Sequence, residues 1–123
     1  MKKLFFALLV IGFSFTSCKS LQNAKALEAD LTGTKWNMTY ELKQYGKRSF
    51  EIEFRKGGQL FNKHPNTKNG DDDTWEQTGS KVILKFNGGF AIYRGTRIDK
   101  RTIVGKAKSA NAGEWDWKAT KLK

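Results

Sequence analysis

The sequence predicts an all-β domain, an eight-stranded antiparallel meander that closes into a barrel. From residue 34 onward, apolar and polar residues alternate with a period of two, the pattern of strands that have one buried and one solvent-facing side. Short stretches rich in glycine, asparagine and aspartate separate these segments, and no helical pattern lies between them. A meander leaves two sheet edges exposed, and closure into a barrel removes both of them.

Three strands are predicted before the longest loop. In KWNMTYEL, residues 35–42, tryptophan, methionine, tyrosine and leucine fall on one side and polar residues fall on the other. In SFEIEFRK, residues 49–56, phenylalanine and isoleucine point inward while the glutamates point outward. The segment KGG ends this strand, and a hairpin leads into QLFNK, residues 59–63.

Five more strands are predicted after that loop. The loop is HPNTKNGDDD, residues 64–73, which collects proline, glycine, asparagines and a run of aspartates. The strands that follow are DTWEQTG at 73–79, KVILKFNGG at 81–89, FAIYRGT at 90–96, RTIVGKAK at 101–108 and GEWDWKATK at 113–121. Turns separate them at Thr78 to Ser80, at NGG, at TRIDK and at SANAG. The expected total is therefore eight strands.

Residues 1–17 are predicted to be a helical signal peptide for export. Lys2 and Lys3 form a positive start, and residues 4–15 are an apolar run too short to span a bilayer, which takes about 20 residues. Small residues stand directly before Cys18, an arrangement that resembles the lipobox of bacterial lipoproteins. The resemblance implies that the signal is cut before Cys18 and that its sulfur carries a diacylglycerol with palmitate-type chains.

Residues 18–30 are polar and contain several alanines, and we interpret them as a lipid-anchored tether to a domain at 31–123. A multiply acylated N-terminus anchors a chain stably to a membrane. Lys19 stands where lipoproteins sent to the cell surface often carry acidic residues, so we expect the outer membrane, facing the periplasm. Other interpretations of Cys18 stay open: a free cysteine left after ordinary cleavage, a buried thiol, or a disulfide to another chain.

The charge balance indicates what the domain can meet. The chain carries 23 Lys and Arg against 12 Asp and Glu, a formal net charge of +11. An exported protein does not normally meet nucleic acid, so the available anions are membrane phosphates, lipopolysaccharide and acidic proteins. The lysines are scattered without a block of five like charges, which is also typical of an ordinary solvated surface.

Two segments carry a resemblance to a known class of barrels. LTGTKW near the start and GKAKSANAGEWDWKA near the end resemble the lipocalin-like, or calycin-like, small barrels of exported bacterial proteins. The resemblance covers residues 31–123 and implies the eight-stranded barrel. In that class an arginine packs over the first-strand tryptophan, here Trp36, whereas Lys118 and Lys121 stand near the end of this chain.

The predicted interior is rich in aromatic residues. An eight-stranded barrel is either filled by its own side chains or holds one small molecule. Small inward residues, Gly105, Ala107 and Ala119, leave room for a pocket at one mouth, where Trp and Tyr suit an amphiphile. The competing interpretation is that the aromatics are simply core. The candidate ligand-binding residues are Trp36, Tyr40, Trp75, Tyr93, Trp115 and Trp117.

Other groups of polar residues do not form a recognisable site. His64 has no cysteine or second histidine nearby for a metal site and no serine partner for triad chemistry. The run Asn69–Asp73 lacks the alternating acids and the closing glutamate of a calcium loop, and Glu51 and Glu53 point outward as solubilising charges. The sequence therefore predicts no metal, no cofactor and no catalytic residues.

Three functional hypotheses follow from different classes of protein. The favoured one is a non-enzymatic envelope lipoprotein that binds a small hydrophobic or amphiphilic ligand at a barrel mouth. The alternative is an interaction module whose basic outer surface binds lipopolysaccharide or an acidic protein. The third hypothesis is an enzyme. Function must be argued from a site rather than from a fold, and no residues in the sequence indicate a catalytic site.

Overall fold

The computed structural model describes residues 25–63 and 72–123. Within them, the strands are β1 (Lys35–Leu42), β2 (Gly46–Phe54), β3 (Leu60–Asn62), β4 (Thr74–Thr78), β5 (Lys81–Phe86), β6 (Ala91–Asp99), β7 (Thr102–Ser109) and β8 (Gly113–Lys121). A helical turn at residues 25–27 precedes them. The predicted signal peptide, Cys18 and His64 lie outside the described residues. No helix in the described ranges is both long and apolar enough to cross a membrane.

The strands form one antiparallel sheet that closes on itself. Their hydrogen-bonded order is β3-β2-β1-β8-β7-β6-β5-β4. Every strand except β3 and β4, the two edges, thus pairs with both of its chain neighbours or, for β1 and β8, with each other. The two edge strands meet at an antiparallel bridge between Gln59 and Thr74, where the Leu60 amide also donates to the Asp73 carbonyl at 3.1 Å. The predicted all-β meander barrel is confirmed, with closure at this seam made by few bonds.

Two predicted strands have the observed bounds, and the others differ at their ends. KWNMTYEL and GEWDWKATK are β1 and β8. β2 begins earlier than predicted, at Gly46, whose φ of +74° forms the end of the hairpin turn. β6 continues to Asp99 through most of TRIDK, which was expected to be a turn. The reason is that the Arg97 amide donates to the Ser80 carbonyl at 2.8 Å, which keeps this stretch extended.

The core follows the predicted alternation. The alternation predicts fifteen large inward side chains, which are Trp36, Met38, Tyr40, Phe50, Ile52, Phe54, Leu60, Trp75, Val82, Leu84, Phe86, Tyr93, Ile103, Trp115 and Trp117. Of these, Tyr40 and Trp115 are partly buried and the rest are buried. Burial of aliphatic and aromatic side chains at this level is the dominant stabilising contribution in a domain of this size. The inward positions therefore form a continuous apolar core along the barrel axis.

The N-terminal segment covers one end of the barrel, which we call the closed end. The closed end is formed by residues 28–34 together with the β2–β3, β4–β5 and β6–β7 turns. Leu31 is fully buried there, and its amide donates to the Gln77 side-chain oxygen at 3.1 Å. The Gln77 amide nitrogen donates in turn to the Ala29 carbonyl at 3.0 Å. These contacts fix the path by which the chain reaches β1.

An arginine does pack over the first-strand tryptophan, but it comes from β6. The Arg97 guanidinium carbon lies 5.7 Å from the centre of the Trp36 ring. Its two terminal nitrogens donate to the carbonyls of Ala29 and Lys100, each at 3.1 Å. The residue on Trp36 is therefore neither Lys118 nor Lys121, the two basic residues that the sequence offers near the end of the chain. Arg97 escaped notice because the sequence placed it in a turn.

A layer of two glycines and a tryptophan lies across the middle of the barrel. Gly95 of β6 pairs with Gly105 of β7, which pairs with Trp117 of β8. A Cβ atom on Gly95 would lie 2.6 Å from the Trp117 ring, and one on Gly105 would lie 1.8 Å from the Arg94 carbonyl oxygen. The missing side chains thus let two strands approach closely and seat the indole.

Candidate ligand-binding site

A cavity of about 310 Å³ opens at the end of the barrel opposite Leu31. This open end is formed by the β1–β2, β5–β6 and β7–β8 turns, together with the last residues of β1, β5 and β7. Small-molecule sites are mostly apolar concavities of roughly 300 to 1,000 Å³. The volume is therefore at the small end of that range and suits one compact ligand or part of a longer one.

Five aromatic side chains, which we call the aromatic belt, form the cavity wall. They come from β1, β2, β5, β6 and β8, and they are Tyr40, Phe50, Phe86, Tyr93 and Trp115. Successive rings touch in a closed circuit, with centroids separated by 6.0, 6.1, 4.9, 5.7 and 6.1 Å in that order, back to the first. Most of these contacts are edge-to-face, the arrangement aromatic pairs prefer. The belt is thus a preformed apolar wall.

The polar atoms of the cavity are neutral. Burial raises the pKa of Tyr93 far above its ordinary value, and the neighbouring Tyr40 raises it further. Burial also raises the pKa of Tyr40, although Arg48 opposes this. The nearby Trp115 indole N–H opposes this rise in the Tyr93 pKa, although it forms no hydrogen bond among the described residues. Both phenols therefore stay protonated at neutral pH, and no charged side chain lines the cavity among the described residues.

Two exposed aromatic side chains stand on opposite sides of the rim. Tyr45 in the β1–β2 turn is 60% exposed, and Phe90 in the β5–β6 turn is 47% exposed. Both line the cavity, and the Arg48 guanidinium lies 6.0 Å from the Tyr45 ring centre. Large apolar groups left in water at a concave site are typical of a surface that binds something.

A buried carboxylate supports the rim from below. Asp73 is 1% exposed and accepts hydrogen bonds from the side-chain amide of Asn62 on β3 and from the backbone amide of Asn87, the latter at 2.8 Å. Asn87 lines the cavity and adopts a φ of +53°. Burial raises the pKa of Asp73, and the two hydrogen bonds oppose that shift. The carboxylate thus joins the β3–β4 seam to the turn that carries Phe90.

The structure brings together three of the six predicted ligand-binding residues. Tyr40, Tyr93 and Trp115 line the cavity. Trp117 lies below it, 5.5 Å from the Tyr93 ring, in the glycine layer. The room expected beside Gly105 is filled by the backbone of Arg94 and Gly95, so the cavity lies nearer the turns than predicted. The role of Tyr40, Tyr93, Trp115 and Trp117 in ligand binding remains a prediction.

The other two predicted residues lie at the closed end. Trp36 and Trp75 pack on the Phe54 ring, with centroids 6.4 and 4.9 Å away. Their indole nitrogens donate to the Thr34 hydroxyl at 2.9 Å and to the Arg55 carbonyl at 2.8 Å. Both side chains are buried with their polar atoms satisfied, and neither lines the cavity.

Sequence reasoning missed the residues of the rim. Phe50 and Phe86 were predicted to point inward, but only as core, and Tyr45 and Phe90 received no role. The missed signal is a large apolar residue in or directly beside a predicted turn, which is unusual because turns are generally polar and lie on the surface. Two such residues at the same end of a barrel would have indicated where the cavity opens.

The acidic residues do not form a metal site in the described part of the chain. No group of three or more potential ligand residues lies together there. Asp72 is exposed while Asp73 is buried against Asn62, and the rest of the run Asn69–Asp73 lies outside the described residues. Glu51 and Glu53 point outward as predicted and form surface ion pairs.

Comparison of the chain with models of protein families, with curated protein sequences and with solved structures finds no match. The functional argument therefore depends on the geometry of the barrel and on the sequence pattern. The cavity and its aromatic belt are the strongest features of that geometry.

Proposed function

We propose that this chain is a lipid-anchored envelope protein whose barrel binds a small hydrophobic or amphiphilic ligand in the open-end cavity, without catalysis. The observation that carries the proposal is the cavity of about 310 Å³ enclosed by the aromatic belt. A preformed aromatic wall offers apolar area with little loss of conformational freedom on binding. The core beneath it is packed, so the ligand does not extend through the barrel.

The chemistry of the wall defines the class of ligand. The belt contacts an apolar body, and the neutral phenol of Tyr93 is suited to a hydrogen bond with an oxygen or nitrogen of the ligand. A charged head group stays at the rim, because burying an unpaired charge in the cavity is costly. Arg48, next to Tyr45, makes an anionic or neutral head group more favourable than a cationic one. A short fatty acid or a similar amphiphile fits this description.

The membrane anchor is supported by the sequence pattern alone. An export signal ends at Cys18, and a multiply acylated cysteine would hold the mature chain stably at the membrane. Replacement of Cys18 with Ser is expected to move the protein from the membrane to the soluble fraction of cells. A Cys18→Ser variant that still sediments with membranes would remove the anchor from the proposal.

Displacement of a fluorescent apolar probe, N-phenyl-1-naphthylamine, tests the cavity. Fatty acids and fatty alcohols of increasing chain length are expected to displace it with a clear optimum. Ala91→Trp places a large ring in the cavity, because Ala91 lines it, and should weaken probe binding at least tenfold. Thr120→Trp is the matched control, since Thr120 is exposed on β8 near the closed end. Equal binding by both variants, or no response to the panel, would refute ligand binding in the cavity.

A further inference from the structure

One outer side of the barrel is strongly basic. We call the outward-facing side chains of β5, β6 and β7 the basic wall. It contains exposed cations with aliphatic residues between them, and they are Lys81, Ile83, Lys85, Ile92, Arg94, Val104, Lys106 and Lys108. In one row of the register the two kinds alternate, since Lys85 is opposite Ile92 and Ile92 is opposite Lys108. In the next row, two cations are neighbours, because Arg94 is opposite Lys106. The wall is thus a patterned surface of positive charge and half-buried aliphatic side chains.

The opposite side of the barrel, on β1, β2, β3 and their turns, carries charges of both signs. Seven cations there outnumber the carboxylates of Glu41, Glu51 and Glu53. There, Glu51 of β2 pairs with Lys63 at 2.6 Å, and Glu53 pairs with Arg55 at 2.8 Å. On the basic wall, the ion pair among described residues joins Lys106 to Asp116 of β8 at 2.9 Å. Its two side chains are 69% and 82% exposed, so it is screened by water and weak. What sets the basic wall apart is therefore that its positions carry no carboxylate, whereas cations and carboxylates are interspersed on the opposite side.

The N-terminal segment leaves the barrel beside the basic wall. Before it crosses the closed end at Leu31, the chain is fixed to Gln77 of β4 and to Arg97 of β6, both through the Ala29 carbonyl. The Glu28 side chain lies against Gly79 in the β4–β5 turn. Lys25 is seven residue steps along the chain from Cys18, a stretch that spans at most about 25 Å when fully extended. A lipid on Cys18 would therefore hold this sector of the barrel closest to the membrane.

We infer that the barrel rests with its basic wall on an anionic lipid surface, and that Phe90 at the cavity rim enters the headgroup region. This inference depends on the anchor of the proposed function. Each Lys or Arg near an anionic membrane contributes roughly 1 kcal/mol, and aromatic side chains favour the interface. Phe90 belongs to the turn between β5 and β6, so it stands at the open-end edge of the same wall.

A lipid surface fits this wall better than an acidic protein does. The cations are spread over three adjacent strands of a broad sheet face, which matches a plane of phosphates rather than one polypeptide segment. The placement also gives the cavity a membrane-side rim. An amphiphile can then move between bilayer and cavity past Phe90 without crossing water.

Vesicle binding of the full chain with Cys18→Ser tests the charge of the wall without the anchor. The triple variant Lys85→Gln, Arg94→Gln, Lys108→Gln neutralises the wall, and Lys35→Gln, Lys43→Gln, Lys47→Gln is the matched control on the side of β1 and β2. On phosphatidylcholine vesicles containing phosphatidylglycerol, we expect the wall variant to bind roughly a hundredfold more weakly and the control to lose little. Equal losses, or binding that ignores phosphatidylglycerol, would overturn the inference.

A fluorophore on the rim tests the orientation. In the same Cys18→Ser chain, Phe90→Cys or Tyr45→Cys provides a unique thiol for an environment-sensitive nitrobenzoxadiazole label. We expect a blue shift on anionic vesicles at position 90 and little change at position 45, because these positions lie on opposite sides of the rim. A shift at both positions, or only at position 45, contradicts the orientation. Stronger binding to soluble polyglutamate than to vesicles would assign the wall to an acidic macromolecule and overturn the lipid inference.

Failure of this inference can be separated from failure of ligand binding. The wall variant leaves the cavity lining intact, so it should bind N-phenyl-1-naphthylamine as the unmodified chain does. Loss of vesicle preference with normal probe binding overturns the membrane orientation alone. Normal vesicle preference without probe binding refutes the ligand-binding function alone.

Discussion

The two ends of this barrel use the same kinds of side chain for different purposes. At the closed end, Trp36 and Trp75 are buried and both indole nitrogens donate hydrogen bonds. At the open end, the buried indole nitrogen of Trp115 has no hydrogen-bond partner among the described residues, and aromatic side chains reach into solvent. The comparison teaches that the number of aromatic residues does not identify a site. What distinguishes the aromatic residues of the open end is that an indole N–H and apolar ring surface are left without partners among the described residues.

Substitution of the glycine layer between the two ends is expected to have the largest effect. Gly105→Ala places a Cβ atom 1.8 Å from the Arg94 carbonyl oxygen, and backbone cannot yield as a side chain can. We expect a loss of about 3 kcal/mol or more in the free energy of unfolding, measured in urea. Gly95→Ala should cost less, because it meets the Trp117 ring.

Gly88→Ala is the control for these two variants. Nothing lies near its Cβ position, and its φ of +69° gives a strain of roughly 1 kcal/mol. If Gly105→Ala is no more destabilising than Gly88→Ala, the close approach of β6 and β7 at this layer is wrong.

The closed end should depend strongly on Arg97. Arg97→Met removes two hydrogen bonds to backbone carbonyls and the contact with Trp36, for an expected loss of about 2 to 3 kcal/mol. Because the change is far from the cavity, the probe affinity of the folded protein should not alter. Thermal and urea unfolding, with a probe titration, measure both.

Arg94→Met provides the comparison, since Arg94 is exposed on the outer side of the same strand. Its expected effect is within about 0.5 kcal/mol. Similar losses for the two arginine variants would mean that Arg97 does not hold the N-terminal segment.

A matched pair of tryptophan substitutions compares the two ends directly. Trp75→Phe loses the hydrogen bond to the Arg55 carbonyl and leaves that carbonyl unpaired, so we expect a cost of about 1 to 2 kcal/mol beyond the loss of ring volume. Trp115→Phe loses no formed hydrogen bond and should cost mainly the smaller ring. The difference in urea midpoints checks this. A larger loss for Trp115→Phe would reverse the assignment of the structural and the binding end.

The pH dependence of Asp73 is expected to be the smallest of these effects. Burial raises the folded-state pKa above the ordinary value of 3.8. The resulting stabilisation is fully present below pH 3.8 and is lost as the pH rises through the raised folded-state pKa. Asp73→Asn keeps an acceptor for the Asn87 amide and removes the titration. As the pH falls, the unfolding free energy of the unmodified chain should therefore rise relative to that of Asp73→Asn. A difference that does not change with pH would contradict the burial of this carboxylate.

The sequence predicts the strands well where alternation is strong. β1 and β8 have their predicted bounds because large aromatic residues at every second position can point only inward. The end of β6 was missed because Arg97 is charged, and a charge in a strand reads as solvent-facing unless its partners are known. Those partners are the backbone carbonyls of Ala29, far away in sequence, and of Lys100, in the following turn. Only the folded chain brings them to the Arg97 guanidinium.

The site could be predicted only in part. Tyr40, Tyr93 and Trp115 were identified because aromatic residues on inward positions are visible in the sequence. Which end they occupy depends on strand direction and register, and alternation alone does not give either one. The cavity itself depends on turn conformations such as that of Asn87, which has a positive φ and donates its backbone amide to the buried Asp73.

The pairing of β1 with β8 decides when this chain can finish folding. Trp36 of β1 is opposite Lys121 of β8. One edge of β1 therefore stays unpaired until β8 is available. Contacts so far apart along the chain form late, because a long loop must close first. While a ribosome or a translocation channel still holds the final strand, the barrel therefore cannot close. The chain then stays unfolded enough to pass through a narrow pore until its last residues are released.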